Sequence, residues 1–285
     1  MNTHLQHFMD SFTLKKDFLY FFLADLITFS LIFISFSWFA AYLQRKSVEV
    51  MQGKSIEELQ QLLSSSSPEQ VLPFLSGLRY FLIWAVVGIV LLAVFSFFLY
   101  SLSRAVIWNH VHHQQVTKRT YWRWNLLNLS LLIPLVLFGL VLFIVKIFVA
   151  LIVNLAFSLA PVFFALHSTF AENFKVILNG AVSFYLTLSF LVLVFMVYYA
   201  FSQQYKVWDS VGKGFSLFRK NWKTLRAALL FATVIALALS LVGIVVKRSI
   251  YSPNVLLFFN LALASAFLAW LRLYVLKGIV HDHHH

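Results

Sequence analysis

Residues 18–43 read FLYFFLADLITFSLIFISFSWFAAYL, an apolar run with a single acid, Asp25, near its start. A helix needs about 20 apolar residues to cross the hydrocarbon of a bilayer, and this run is longer than any ordinary strand. Further runs of the same kind lie at about 79–103, 126–166, 178–202, 227–246 and 255–276. No soluble core uses so many. The expected fold class is all-α, a polytopic bundle of transmembrane helices with amphipathic helices at the interface. Residues 1–285 read as one transmembrane domain of an integral membrane protein.

Composition agrees with the runs. The chain is 61% hydrophobic and 11% charged, against about half apolar and a quarter charged in soluble domains. It carries 32 Phe, 11 Tyr and 8 Trp, and Trp and Tyr gather at membrane interfaces. The net charge of +12 would suggest nucleic acid in a soluble protein. Here the cations flank apolar runs, so membrane lipids, anionic ones above all, are the expected partners, with a protein partner or a second copy beside them and no nucleic acid. With no cysteine, disulfides, thiolate metal sites and thiol nucleophiles are excluded. Lys15 and Lys16 precede a first run too long for a secretory h-region of about 7–15 residues, which predicts an uncleaved anchor.

Three polar segments punctuate the runs. Residues 44–78 form a polar insert expected outside the cytoplasm; Ser55 and Glu58 have capping-box spacing and predict a short surface helix at 56–63. Residues 104–124 carry Arg104, Lys118, Arg119 and Arg123 and no acid. Residues 203–226 carry Lys206, Lys213, Arg219, Lys220, Lys223 and Arg226 against Asp209 alone. Short loops rich in Lys and Arg stay in the cytoplasm. Six crossings put both basic segments and both termini inside a cell membrane, at the cost of leaving Lys247 and Arg248 outside. Seven, with the 126–166 tract folded at Lys146, would export the most basic loop. Six is the expected count and seven the alternative.

Within 203–226, Phe215, Phe218, Trp222 and Leu225 fall on one helical arc and Arg219, Lys220, Lys223 and Arg226 on the next, which predicts an amphipathic helix in the headgroup plane. Asp209 or Ser210 is its expected cap. Segment 118–124 repeats the pattern with Lys118, Arg119, Arg123, Trp122 and Trp124. Comparing KRTYWRWNLLNLSLL (118–132) with FRKNWKTLRAALLF (218–231) raises an internal duplication as one reading of that likeness. The stretch GFSLFRKNW (214–222), opening an apolar helix, resembles a pattern of uncharacterised multi-helix membrane proteins of bacteria and archaea; the resemblance implies no defined activity or catalytic residue.

The stretch NHVHHQQ (109–115) raises a metal site. On a helix His110 and His113 can meet one cation, but a closed site takes about four ligands, and no acid or thiol lies nearby in sequence. HDHHH (281–285) is either the remaining donor set or a purification remnant. Membrane di-iron oxygenases resemble this chain in being helical with histidine boxes, yet HVHH and HDHHH lack the HxxxH and HxxHH spacings. No cofactor is expected; His110 and His113 are the residues to inspect.

A carboxylate at Asp25, roughly 10 Å into its span, must be paired, protonated or wet. Arg272 is the expected partner and Arg104 the alternative. Pro134 and Pro161 are expected kinks, with Asn154, Ser158 and His167 as polar neighbours of Pro161. The chain has no Walker motif, GxSxG or HExxH. The leading expectation is a non-catalytic accessory, assembly or lipid-contacting subunit. The alternatives are a small transporter or channel with a site near Asp25 and Pro161, and a histidine-dependent metalloenzyme.

Overall fold

The computed structural model describes residues 16–51, 57–58, 68–159, 168–249 and 252–281. Those residues carry eight long helices and no strand. They are α1 (Lys16–Met51), α2 (Pro68–Val111), α3 (Lys118–Ser130), α4 (Leu132–Leu159), α5 (Ser168–Gln204), α6 (Val207–Lys220), α7 (Trp222–Ser249) and α8 (Pro253–His281). Six stretches among them are long and apolar enough to cross a membrane: α1, most of α2, α3 with α4, most of α5, α7 and most of α8. The protein is thus an all-α, multi-pass helical chain with six candidate spans. The 56–63 helix expectation, the Pro161 region and residues 282–285 lie outside the described residues, except for helical residues 57–58.

Helix ends follow local chemistry. Pro68 and Pro253 each open a helix, where a missing N–H costs nothing. Thr117 caps α3: its hydroxyl accepts from the Thr120 N–H, and its own N–H donates to Thr120 Oγ1 at 2.9 Å. α3 gives way to α4 at Leu131, three residues before Pro134. A proline ring clashes with the carbonyl four residues back, here that of Ser130, so the helix bends there. α2 and α5 both end just before a non-glycine residue at positive φ, His113 and Tyr205, each at 53°. Each turn then enters a short basic helix of 13 or 14 residues, a one-residue kink, and a 28-residue apolar helix. The likeness between the two basic segments therefore extends to the layout of their helices, in which α6 rather than the 218–231 stretch stands where α3 does.

The helices outrun the hydropathic spans. α1 continues to Met51 and α2 starts at Pro68, so only 52–67 remain of the polar insert placed at 44–78. Lys46 and Glu49, 2.5 Å apart one turn along α1, show helix continuing through polar sequence.

The chain divides into two compact units. Residues Leu26–Ser103 form a helical hairpin. At Gly88 the tip of the Phe39 ring occupies the space of a side chain. Phe39, Trp38, Tyr42 and Phe95 border an apolar groove of about 610 Å³. The other unit combines residues up to Asp25 with everything from Arg104 onward. Its core gathers Phe21, Trp108, Trp124, Phe195, Phe201, Leu229 and Leu271, all buried. These come from the start of α1, the end of α2, α3, the end of α5, the start of α7 and the end of α8. One end of this unit is therefore packed, whereas the far halves of α4 and α7 are largely exposed and suit lipid.

Candidate functional site

The packed end is built around charge. Asp25 is 0% exposed, and both expected partners reach it at once. Arg272 Nη2 donates to Asp25 Oδ2 at 3.0 Å, and Arg104 Nη2 donates to Oδ1. Arg272 is fully buried, its guanidinium carbon 5.2 Å from the Phe195 ring, 5.3 Å from Phe21 and 5.9 Å from Trp108. The rings' negative faces offset part of the desolvation cost. Two cations meeting one carboxylate in an apolar cage tie α1, α2 and α8 together. Asn154 stands elsewhere, accepting from Lys175 Nζ at 3.3 Å.

Directly along α2 lies a second polar group that the sequence reading did not single out. Asn109 is fully buried and accepts from Trp124 Nε1 at 3.2 Å and from the Tyr205 hydroxyl at 3.1 Å. Tyr205 Oη also lies 2.5 Å from Gln114 Oε1, so its single proton is shared between the two amide oxygens and bonds the α2–α3 and α5–α6 turns to each other. Burial raises the Tyr205 pKa, and its bond to Asn109 partly opposes that. Tyr198 donates to Asn128 on α3 at 2.7 Å. The signal for Asn109 was an amide ending an apolar span, masked by the adjacent histidines.

The histidines serve the same end. His110 Nε2 lies 3.2 Å from Asp17 Oδ1, and its ring stacks on Tyr20 at 4.1 Å. The His113 ring is 6.3 Å from His110. Among the described residues no three His, Cys, Asp or Glu side chains are grouped to hold a metal ion. His112 packs against Tyr199, and burial, then the neighbouring His113, lowers its pKa.

Outside this core sit the basic helices. Lys118, Arg119, Arg219, Lys220, Lys223 and Arg226 are exposed and Arg123 is partly so. Trp122 is 55% exposed, and Phe215 and Trp222 also face outward, with Phe218 half-buried. Trp124 is the exception. It lies in the core beneath Asn109, so it belongs to the packing and not to the outer face. The 203–226 segment is also not one helix in one plane. α6 ends at Lys220 with Asn221 as its C-cap, and Leu225, at the start of α7, is buried. α6 doubles back along α5: a Cβ at Gly214 would stand 2.8 Å from the Val197 backbone nitrogen and Cα. Its buried face is Val207, Ser210 and Gly214. Its cap is Lys206, without a side-chain bond, rather than Asp209 or Ser210; Ser210 Oγ bonds back to the Lys206 carbonyl. The chain matches no protein-family model, and it resembles none of the curated proteins or solved structures against which it was compared.

Proposed function

We propose that the protein is a non-catalytic, multi-pass subunit of a cell membrane whose basic end faces the cytoplasm and binds anionic lipid headgroups, in an accessory or assembly role. The observation that carries this reading is the pairing of a closed interior with a charged exterior at one end. The buried Asp25–Arg104–Arg272 cluster is sealed by aromatic rings, which supports a locking role over an ion path. The outward groups of α3, α6 and the start of α7 are cations and aromatic rings, the pairing that suits phosphate above and acyl chains below. Each surface cation near anionic lipid is worth about 1 kcal/mol.

The test is the relative affinity of boundary lipids, read by electron paramagnetic resonance with spin-labelled phosphatidylglycerol and phosphatidylcholine on the reconstituted protein. The wild type is expected to favour phosphatidylglycerol. The Arg219→Gln, Lys220→Gln, Lys223→Gln protein is expected to lose at least half of that preference. Equal affinity for the two lipids in the wild type contradicts the proposal.

A further inference from the structure

At the opposite end of the same unit, α7 and α8 separate to leave a groove of about 440 Å³, closed at one side by Phe184 of α5. The volume falls within the roughly 300–1,000 Å³ of small-molecule sites. Small residues open it: Ala236, Ser240 and Gly243 on α7 and Ala264 on α8. Its lining runs from Ala236 to Lys247 on α7 and from Leu256 to Phe267 on α8. At 1.5 Å per residue that is about 16 Å on each helix. A bilayer's hydrocarbon is about 30 Å thick, so the groove is one leaflet deep.

Its polarity is graded along that depth. Lys247, exposed in the last turn of α7, lies at the outer end. Gly243, about 6 Å deeper, faces Asn260, whose Oδ1 would stand 3.7 Å from a Cβ there. Below them the lining is Leu239, Ala236, Leu263, Ala264 and Phe267, with only the Ser240 hydroxyl, which is turned to the Ala236 carbonyl at 2.8 Å. A cation, then an amide, then hydrocarbon is the order of phosphate, ester and acyl chain in a phospholipid.

We infer that this groove holds one anionic phospholipid, its phosphate at Lys247, an ester oxygen accepting from the Asn260 NH2 and one acyl chain between α7 and α8. The site stands apart from the basic end. Lys247 is 18 residues beyond the buried Leu229 on α7, about 27 Å away.

Native mass spectrometry of the detergent-solubilised full chain, titrated with phosphatidylglycerol or phosphatidylcholine, reads this site directly. The wild type is expected to retain one phosphatidylglycerol at least fivefold more tightly than phosphatidylcholine. Lys247→Gln is expected to erase that ratio. Gly243→Leu and Ser240→Leu, which fill the groove from two positions, are expected to abolish retention of both lipids, while Gly139→Leu, at a position open on all sides, leaves it intact. Size-exclusion elution as a single species checks that each variant is folded. Retention unchanged in both groove-filling variants, or an undiminished ratio in Lys247→Gln, overturns the inference. So does a fall in oligomeric mass on groove filling, which would make the groove a contact between copies. The Arg219→Gln, Lys220→Gln, Lys223→Gln protein is expected to keep this one lipid, so failure here and failure of the basic-end proposal read out separately.

Discussion

The packed basic end and the Leu26–Ser103 hairpin are both made from α1 and α2, yet they are held in different ways. At the packed end α1 and α2 meet through Asp25 and Arg104, and α8 joins through Arg272. In the hairpin the close approach is Phe39 against Gly88, a contact of shape alone. Ionic and amide bonds fix one register and one set of neighbours, because removing a partner strands a buried charge. Apolar contacts in lipid fix much less, since lipid tails pack against leucine as well as another helix does. The two ends of a single helix can thus be specified to different degrees.

The sharpest way to break this contrast is to remove its charge. Asp25→Leu, which takes the shared carboxylate away from two buried guanidinium groups, is expected to cost about 3–5 kcal/mol, the toll of breaking a buried pair, measured by reversible unfolding in mixed micelles. Trp124→Ala should cost a similar amount, about 3–5 kcal/mol, as a large buried ring. Trp122→Ala, two residues away and exposed, should stay within about 0.5 kcal/mol; equal losses would mean that Trp124 is not a core residue. Gly214→Leu is next. The obstruction is Val197 backbone, which no rotamer relieves, and overpacking costs about 1–3 kcal/mol. Gly88→Ala in the hairpin should cost about 1 kcal/mol or less, because the far end of the Phe39 ring can swing aside. A loss there as large as that of Asp25→Leu would erase the distinction between the regions.

The smallest effect is one of pH. His112 is held neutral by burial, so its folded pKa is below its unfolded value. Its contribution is complete above the unfolded pKa, near about 6.5, and is lost as pH falls through the folded one. Replacing His112 with Gln should therefore make the protein slightly less sensitive to acid between neutral pH and pH about 5, as read by thermal unfolding. A steeper acid loss in the variant would contradict this.

Much of this contrast was legible from hydropathy and charge. A lone acid in an apolar run has to find a cation, which is why Asp25 pointed to Arg272 and Arg104. Length marked the apolar runs, and the charge of the two basic segments chose six crossings over seven. Hydropathy marks where lipid is, however, not where a helix stops, so α1 and α2 run well into the polar insert. The wheel drawn through Phe215, Phe218, Trp222 and Leu225 crossed the kink at Asn221 and so joined two helices. The true buried face of α6 uses Ser210 and Gly214, which bury by close approach and carry no hydrophobic signal. Asn109 escaped notice because its bonds join residues far apart in sequence, Trp124 and Tyr205.

The account turns on which way the basic end faces, and the chain's lack of cysteine makes that directly measurable. Gly212→Cys introduces a thiol on the exposed side of α6, where a Cβ meets nothing within 4 Å. Ser252→Cys places one at an exposed residue just before α8. With a membrane-impermeant maleimide, the Gly212→Cys protein should label only in inside-out vesicles and the Ser252→Cys protein only in intact cells. Labelling of the Gly212→Cys protein in intact cells would put the cations on the wrong side and contradict the proposal.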